Sequence, residues 1–464
     1  MTGTSRSVSS DWDVSIKVTS LCRDQRVSSL GLFITLLLTW LLAFLALSTT
    51  GFAEEGAKTD SGARWSLSTL NADWEEVRNT MVAKGVAIDL RMTQIGQAVI
   101  SGGKDTGSAY SGHSLGILIV DTETLGWWRG GNLWVEVEGN WGNAVNLRTG
   151  SLMPVNSNRL YPVPGRNALA IPAVTYTQFL SPYVGLSIGK VDTTLGDANE
   201  FAYGNGKGEI QFFNLAFNVN PVTVIPSPYS TLSVGVVLFP TKDSDAAFLS
   251  LTAFDSNGKA NSTGFDTVFK GNTTYNFEAR VRTEFFGLTG HQLIGGMYSS
   301  KNFTSLDQNA RLVIETGTIE RKPNSWNVYY NFDQYLYETK KGSGQGIGIF
   351  ARWGISDGNP NPARYFYSAG IGVNGVIPGR PRDSFGIGYY YLDINPLKVT
   401  VASGTRELGR DEQGVEVYYN VAVVPGIRLT PDVQVIRPGQ KQVIATGKAV
   451  DTVTVIGVRL QFSF

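Results

Sequence analysis

Apolar and polar residues alternate along the last segment of the chain, which ends on an aromatic residue. Successive side chains of a β-strand point to opposite faces, so this pattern predicts a strand with one apolar and one polar face. A membrane barrel requires such strands, and the last strand of a soluble sandwich alternates too. One face carries Thr454, Ile456, Val458, Leu460, Phe462 and Phe464, and the other carries Val455, Gly457, Arg459, Gln461 and Ser463.

The same alternation recurs in the interior of the chain, at residues 132–140, 275–286 and 415–423. Turn-rich stretches, such as residues 255–264 and 356–362, separate these segments. At roughly 25 residues per strand and connection, the chain after position 53 accommodates about 16 strands. The pattern therefore predicts an all-β, transmembrane antiparallel β-barrel. A barrel of that size is expected to hold water and to need no apolar core inside.

One segment, Asn71 to Lys84, is predicted to be a short N-terminal helix. Asn71 is placed to cap it, acidic residues occupy its early turns, and Gly85 is placed to end it.

An apolar run between Leu30 and Leu47 precedes small residues at positions 51 and 53. This arrangement predicts a signal peptide, residues 1–53, that is cut after Ala53, and an uncleaved membrane anchor is the alternative. Residues 54–85 then form an N-terminal segment with the short helix, and residues 86–464 form the barrel. No second run of this kind follows, so any further membrane crossing must use strands.

The balance of charge argues against a nucleic-acid partner, because Lys and Arg together number 39 and so do Asp and Glu. The single cysteine, Cys22, lies in the segment that is expected to be removed. The mature chain would then contain no disulfide and no cysteine-based metal site.

Catalytic chemistry has little support in the sequence. The only histidines, His113 and His291, lie in stretches rich in Gly, Ser and Thr, which predicts loops or turns. No His or Cys partners are spaced to complete a metal site, and no phosphate-binding loop is present, so neither a metal nor another cofactor is expected. A Ser-His-acid hydrolase inside a barrel is the remaining enzymatic alternative.

Permeation fits the pattern better, because charged residues of both signs share the polar face of the strand at 275–286. Such charges inside a channel can bind sugar hydroxyl groups, although each could instead pair with a neighbour in the barrel wall. Strand parity gives these candidates for substrate binding in the lumen: Glu136, Glu138, Glu278, Arg280, Arg282, Glu284 and Arg352. Arg380, Arg382 and Asp383 lie in a Pro/Gly turn, for which we predict a structural role.

After position 66, the chain resembles the OprB family of carbohydrate-selective porins over nearly its whole length. The most specific segment is Gly370–Asp383, followed by Gly386–Tyr389. Glu75 and Glu76 depart from the family, in which those positions are often glycine. Further similar segments are Ala72–Arg78, Lys84–Val86, Tyr176–Gln178, Leu186–Asp192, Asn331–Gln334, Gly346–Arg352, Glu416–Tyr419 and Leu429–Gln434.

The resemblance implies a 16-stranded barrel of the bacterial outer membrane, in contact with its lipid, that passes small sugars by passive diffusion. It also implies a channel that is narrowed by Arg and Glu side chains. The alternatives are a general diffusion porin without sugar preference and a structural outer-membrane barrel. The sequence is compatible with a homotrimer and with a monomer.

Overall fold

The computed structural model describes residues 76–268, 270–443 and 445–464. The predicted signal peptide, and the predicted helix up to position 75, lie outside the described residues. Residues 76–83 are helical, as expected for that part of the segment from Asn71 to Lys84. No helix among the described residues is both long and apolar enough to cross a membrane.

Sixteen antiparallel strands close into one barrel, in which β1 pairs with both β2 and β19. The prediction of a transmembrane antiparallel barrel of about 16 strands is thereby confirmed. The barrel strands are β1 (Val86–Gly103), β2 (Gly107–Asp121), β3 (Gly131–Gly142), β4 (Ala168–Ser181), β5 (Val184–Asp192), β6 (Ser230–Leu238), β7 (Ala247–Asp255), β8 (Thr273–Phe285), β9 (Leu288–Thr304), β11 (Arg321–Glu338), β12 (Gly346–Ser356), β13 (Ala363–Asn374), β14 (Ser384–Ile394), β17 (Glu412–Val424), β18 (Ile427–Arg437) and β19 (Asp451–Ser463).

Three short strands form a separate sheet outside the barrel wall. They are β10 (Asp307–Asn309), β15 (Lys398–Val401) and β16 (Gly404–Glu407). Two further short α-helices span Asn146–Thr149 and Ala310–Thr316, and single 3₁₀ turns span Asn158–Leu160, Thr193–Leu195, Gly204–Gly206, Leu215–Phe217 and Pro221–Thr223.

The faces predicted for the last strand are confirmed. Val455, Arg459 and Gln461 are buried inside the barrel, whereas Ile456 is 43% exposed on its outer surface. The strand closes the barrel in a register that places Ile95 opposite Arg459.

The two ends of the barrel differ in the length of their connections. The end that carries the start of β1 and the end of β19, here called the terminal end, has short turns, among them residues 182–183, 286–287 and 425–426. The opposite end, here called the loop end, has longer connections, among them residues 256–272 and 395–411. In outer-membrane barrels the short turns face the periplasm and the longer loops face the exterior.

The two longest connections of the loop end fold into the barrel. They are residues 143–167, here called insert 1, and residues 193–229, here called insert 2. The expectation of an interior without an apolar core is wrong, because Phe201, Phe212 and Phe217 of insert 2 pack against inward-facing aromatic side chains of the wall. A soluble-type core therefore lies inside part of the lumen, and it leaves a narrower passage than the strand number alone implies.

Candidate functional site in the barrel lumen

Insert 2 is built from tight turns that polar side chains stabilise locally. Asp192, Asn214 and Asn220 each accept a hydrogen bond from the backbone N–H two residues further on. Side chains of this kind favour turns because they satisfy backbone donors that no helix or ladder satisfies. These hydrogen bonds satisfy part of the backbone of the insert where it runs through the lumen.

A buried lysine of insert 2, Lys207, is surrounded by carboxylates of the wall. Its Nζ lies 2.9 Å from Asp192 and 3.3 Å from Glu138, and it also contacts Glu136. The four side chains are almost fully buried, and Nζ lies 5.3 Å from the ring centroid of Tyr229. Two of the predicted lumen residues, Glu136 and Glu138, thus face the interior and hold insert 2.

The prediction that the two histidines lie in loops or turns is wrong, since His113 belongs to β2 and His291 to β9. Both are buried inside the barrel. Nε2 of His113 lies 2.5 Å from Glu138 Oε1, and Nδ1 of His291 lies 2.7 Å from Asp333 Oδ1. Within the described residues, no group of His, Cys, Asp and Glu side chains could hold a metal ion.

Arg352 and Glu278, which are also predicted lumen residues, contact the start of insert 2. Arg352 donates to Asp197 Oδ2 at 2.8 Å and to the Phe217 carbonyl at 3.0 Å. Glu278 accepts from the Asp197 N–H at 3.0 Å and from the Tyr329 hydroxyl at 2.9 Å. Both side chains are buried, and together they hold Asp197 from strands β8 and β12.

Aromatic side chains seal the lumen on the side of β12, β14 and β17. The ring of Phe212 lies 4.4 Å from that of Phe217 and 4.8 Å from that of Tyr418, measured between centroids. Phe217 also contacts Phe350 and Tyr390 edge to face. Since these rings are buried, that side of the interior is closed to solvent.

The opposite side of the lumen, on β5 to β8, carries short polar side chains that the inserts leave partly open. Ser187, Ser250, Thr252 and Asn276, here called the hydroxyl wall, are half-buried. The register places Gly235 beside both Ser187 and Thr252, and pairs Thr252 with Asn276. A Cβ at Gly235 would come within 3.0 Å of Ser187 Oγ and 3.1 Å of Thr252 Oγ1, so a larger residue there would push these two hydroxyls away from their present positions.

The hydroxyl wall ends in charged residues near the terminal end. Arg280 donates to Asp245 at 3.1 Å, and Arg282 donates to Asp245 and to Asp243, each at 2.9 Å. Burial alone would raise the pKa of Asp245, but the hydrogen bonds from the two arginines hold it below its ordinary value. Glu284, the last predicted lumen residue of this strand, pairs with Lys341 at 2.6 Å, and both are about half exposed.

The sequence did not indicate Asp197, Lys207 or Glu412 as lumen residues. Asp197 and Lys207 lie in a connection that shows no alternation of polar and apolar residues. Glu412 precedes the alternating segment at 415–423. Glu416 and Arg459, by contrast, lie on faces that strand parity assigns to the interior. Parity could have found Glu412 as well, since it shares the face of Glu416 at a spacing of four.

Comparison with known proteins agrees with this architecture. The model of the family described as carbohydrate-selective porin, OprB family, matches residues 106–464. The high-pH structure of Pseudomonas putida OprB is similar at a TM-score of 0.68 and 18% identity, over 84% of this chain and 97% of that chain. Its low-pH structure is similar at a TM-score of 0.51 and 14% identity, over 88% and 100%. None of the curated proteins matches the chain.

Proposed function

The chain belongs to the OprB family of carbohydrate-selective porins, and from this we propose that small sugars cross its barrel along the hydroxyl wall. A member of this family is an outer-membrane channel for passive diffusion and not an enzyme. The proposal adds the route within the lumen, the residues that line it, and a cargo of the size of glucose.

The observation that carries the proposal is the contrast between the two sides of the lumen. The side of β12, β14 and β17 is closed by buried rings, whereas the hydroxyl wall is half-buried and faces the interior. Hydroxyl and amide groups can exchange hydrogen bonds with a sugar as it leaves water, which lowers the cost of dehydration in a narrow channel.

The predicted lumen residues divide into two roles under this proposal. Glu136, Glu138, Glu278 and Arg352 hold insert 2 and thereby set the width of the path. Arg280, Arg282 and Glu284 line its terminal end, where their charges remain partly exposed. The three would contact a sugar directly as it enters or leaves this end of the path.

The proposed path lies within a single chain, because every residue named for it belongs to one barrel. Passage does not therefore depend on association into a homotrimer. We also propose that residues 1–53 are a signal peptide, which N-terminal sequencing of the protein from the outer membrane tests. A first residue of Glu54 is expected, and a first residue before position 30 would mean that the apolar run is kept.

Liposome swelling with the refolded mature chain tests the sugar path. We expect glucose to enter faster than an amino acid of similar size, and a disaccharide to enter more slowly than glucose. Equal rates for glucose and the amino acid would reduce the protein to a general diffusion porin. No swelling at all would favour a structural barrel.

Thr252→Val tests the path itself, because it removes one hydroxyl from the lumen and keeps the shape of the side chain. The matched control is Ala253→Val, which lies next to it in β7 and points to the outer face. We expect Thr252→Val to lower the ratio of glucose to amino-acid uptake by about threefold, the value of one modest hydrogen bond, and the control to leave it unchanged. Equal ratios for both variants would remove the hydroxyl wall from the path.

A further inference from the structure

The connection between β6 and β7, residues 239–246, reaches the inner face of the barrel at the terminal end of the hydroxyl wall. Two of its side chains, Asp243 and Asp245, form salt bridges with Arg282 and Arg280 on the inner face of β8. This connection, here called the acidic turn, therefore brings carboxylates to two of the cations that line the proposed path.

Hydrogen bonds within the acidic turn fix its shape. Asp243 Oδ1 accepts from the Asp245 N–H at 3.1 Å, and the Asp243 carbonyl accepts from the Ala246 N–H at 3.1 Å. The Ala246 carbonyl in turn accepts from the Arg282 N–H at 2.8 Å. Aspartate side chains that accept from a backbone donor two residues further on stabilise turns, so the acidic turn holds its carboxylates beside β8.

The two carboxylates are more exposed to water than the arginines with which they pair. Asp245 accepts from Arg280 at 3.1 Å and from Arg282 at 2.9 Å, and Asp243 accepts from Arg282 at 2.9 Å. The side chains of Asp245 and Asp243 are 53% and 51% exposed, whereas those of Arg280 and Arg282 are 16% and 32% exposed. Any solute that reaches these arginines therefore meets a carboxylate beside each of them.

Two further carboxyl groups interact electrostatically with Arg280, namely those of Glu278 and Glu200. Glu278 is buried and accepts a hydrogen bond from the Tyr329 hydroxyl, and Glu200 accepts one from the Tyr335 hydroxyl at 2.8 Å. Within the part of the chain that the structure describes, neither forms a salt bridge with Arg280. These two groups thus belong to the contacts between the wall and insert 2.

The other charged side chains at this end have partners of their own. Glu284 interacts electrostatically with Arg282 but pairs with Lys341 at 2.6 Å. Nε2 of His291 lies 3.9 Å from Asp245 Oδ1, which is beyond hydrogen-bond distance. Loss of the two carboxylates of the acidic turn would therefore leave both arginines of β8 without a salt bridge among the described residues.

We propose that Asp243 and Asp245 are specificity-determining residues, which compensate the charge of the two arginines and thereby disfavour anionic sugars such as sugar acids and sugar phosphates. Arginine binds carboxylates and phosphates through a rigid fork of N–H groups, so two bare arginines at the end of the path would attract and retain anions. A carboxylate beside each arginine opposes that attraction, whereas neutral sugars can exchange hydrogen bonds with groups of either sign. The inference rests on the proposed sugar path and adds the class of solute that the path disfavours.

The reversal potential of the refolded mature chain in a planar bilayer, under a gradient of potassium chloride, tests the role of the acidic turn. Asp243→Asn with Asp245→Asn should raise the permeability ratio of chloride to potassium by about threefold or more over the parent protein. One unit charge about 6 Å away in water changes the energy of an ion by about one thermal energy, which sets this factor. The same variant should raise the uptake of glucuronate relative to glucose in liposomes by a similar factor.

The matched control is Glu123→Gln with Glu315→Gln, which changes the net charge of the chain by the same amount. Each of these carboxylates also pairs with an arginine, Glu123 with Arg129 and Glu315 with Arg311, but none of the four residues belongs to the proposed path. We expect both ratios to stay at the values of the parent protein in this control.

Arg280→Gln with Arg282→Gln tests the same pairing with the opposite sign. This variant leaves the two aspartates of the acidic turn without their cations, so the permeability ratio of chloride to potassium should fall below that of the parent protein. If the aspartate variant fails to fold, as judged by the heat-dependent shift of the barrel on a denaturing gel, the arginine variant decides alone.

Opposite shifts in the two variants, with no shift in the control, support the inference. An unchanged ion ratio in a folded aspartate variant overturns it, as does an equal shift in the control. A shifted ion ratio without a gain in glucuronate uptake overturns it as well, since the acidic turn would then act on small ions alone. The ion ratio is measured without any sugar, so equal entry of glucose and the amino acid would overturn the sugar path and not the charge compensation.

Discussion

Glu412 and Glu416 lie four residues apart on the inner face of β17, and each carboxylate holds a different insert. Glu412 accepts hydrogen bonds from the N–H groups of Leu152 and Met153 in insert 1, at 2.6 and 2.9 Å. Glu416 accepts from the N–H groups of Phe213 and Asn214 in insert 2, at 2.5 and 3.0 Å. One strand therefore positions both segments that narrow the lumen, without a partner cation within salt-bridge distance of either carboxylate among the described residues.

Glu412→Ala should release insert 1 from the wall. The carboxylate also accepts from Ser151, Gly439 and Tyr390, so its removal leaves several buried donors unsatisfied. At about 1–3 kcal/mol for each such group, the five donors that lose their acceptor should lower stability by about 5 kcal/mol or more, and we expect a higher single-channel conductance. Planar-bilayer recording measures the conductance. Glu407→Ala in the exposed strand β16 is the control, and an unchanged conductance in Glu412→Ala would show that insert 1 is held by other contacts.

Lys207→Met should destabilise the barrel more than any single charge change at its surface. The substitution leaves Asp192, Glu136 and Glu138 close together without their cation, and loss of one partner of a buried ion pair costs about 3–5 kcal/mol. Denaturant titration in lipid vesicles measures the loss. We expect added Glu138→Gln to restore part of it, and Lys270→Met in an exposed connection to change little. A Lys207→Met barrel as stable as the parent protein would contradict the role assigned to this cluster.

The alternation of side chains predicts the walls of this barrel but not the segments inside it. Alternation is a signal within a single strand, and it correctly places Val281 on the outer face and Arg282 on the inner face of the barrel. Insert 2 has no period, and its contact between Asn214 and Glu416 spans 202 residues of sequence, so no local pattern indicates it. The prediction for His113 is wrong for a related reason. Its neighbour Gly112 packs against Trp141 on the outer face of a strand, yet glycine is also the usual residue of a turn.

Val281→Arg tests the assignment of faces on β8. Val281 is 44% exposed on the outer surface, where β8 pairs with β7 on one side and with β9 on the other. An arginine on the lipid face costs about 2–4 kcal/mol near the middle of the bilayer and less towards the interfaces. Denaturant titration in vesicles should show this loss, and Val281→Leu should be nearly neutral. If both variants are equally stable, the lipid-facing hydrocarbon does not reach this position.

Asp383 makes the stability of the turn between β13 and β14 depend on pH. Its carboxylate accepts hydrogen bonds from Arg380 at 2.8 Å, from the Tyr419 hydroxyl at 2.7 Å and from the Ala422 N–H at 2.9 Å. Burial would raise its pKa, but these donors together hold the pKa of Asp383 below its ordinary value. A lowered pKa means that the folded state stabilises the ionised form, as the structural role predicted for this turn requires.

Because the pKa of Asp383 is lowered in the folded state, its contribution to stability depends on pH in a definite direction. The stabilisation is fully present above the pKa of an unfolded aspartate, about 3.9, and is lost as the pH falls through the lower value of the folded state. We therefore expect Asp383→Asn to unfold at a lower temperature than the parent protein at pH 7, and the difference to shrink as the pH falls below the pKa of an unfolded aspartate, about 3.9. Thermal unfolding followed by circular dichroism between pH 3 and pH 7 measures it. A difference that stays constant over this range would mean that Asp383 acts through packing and not through its charge.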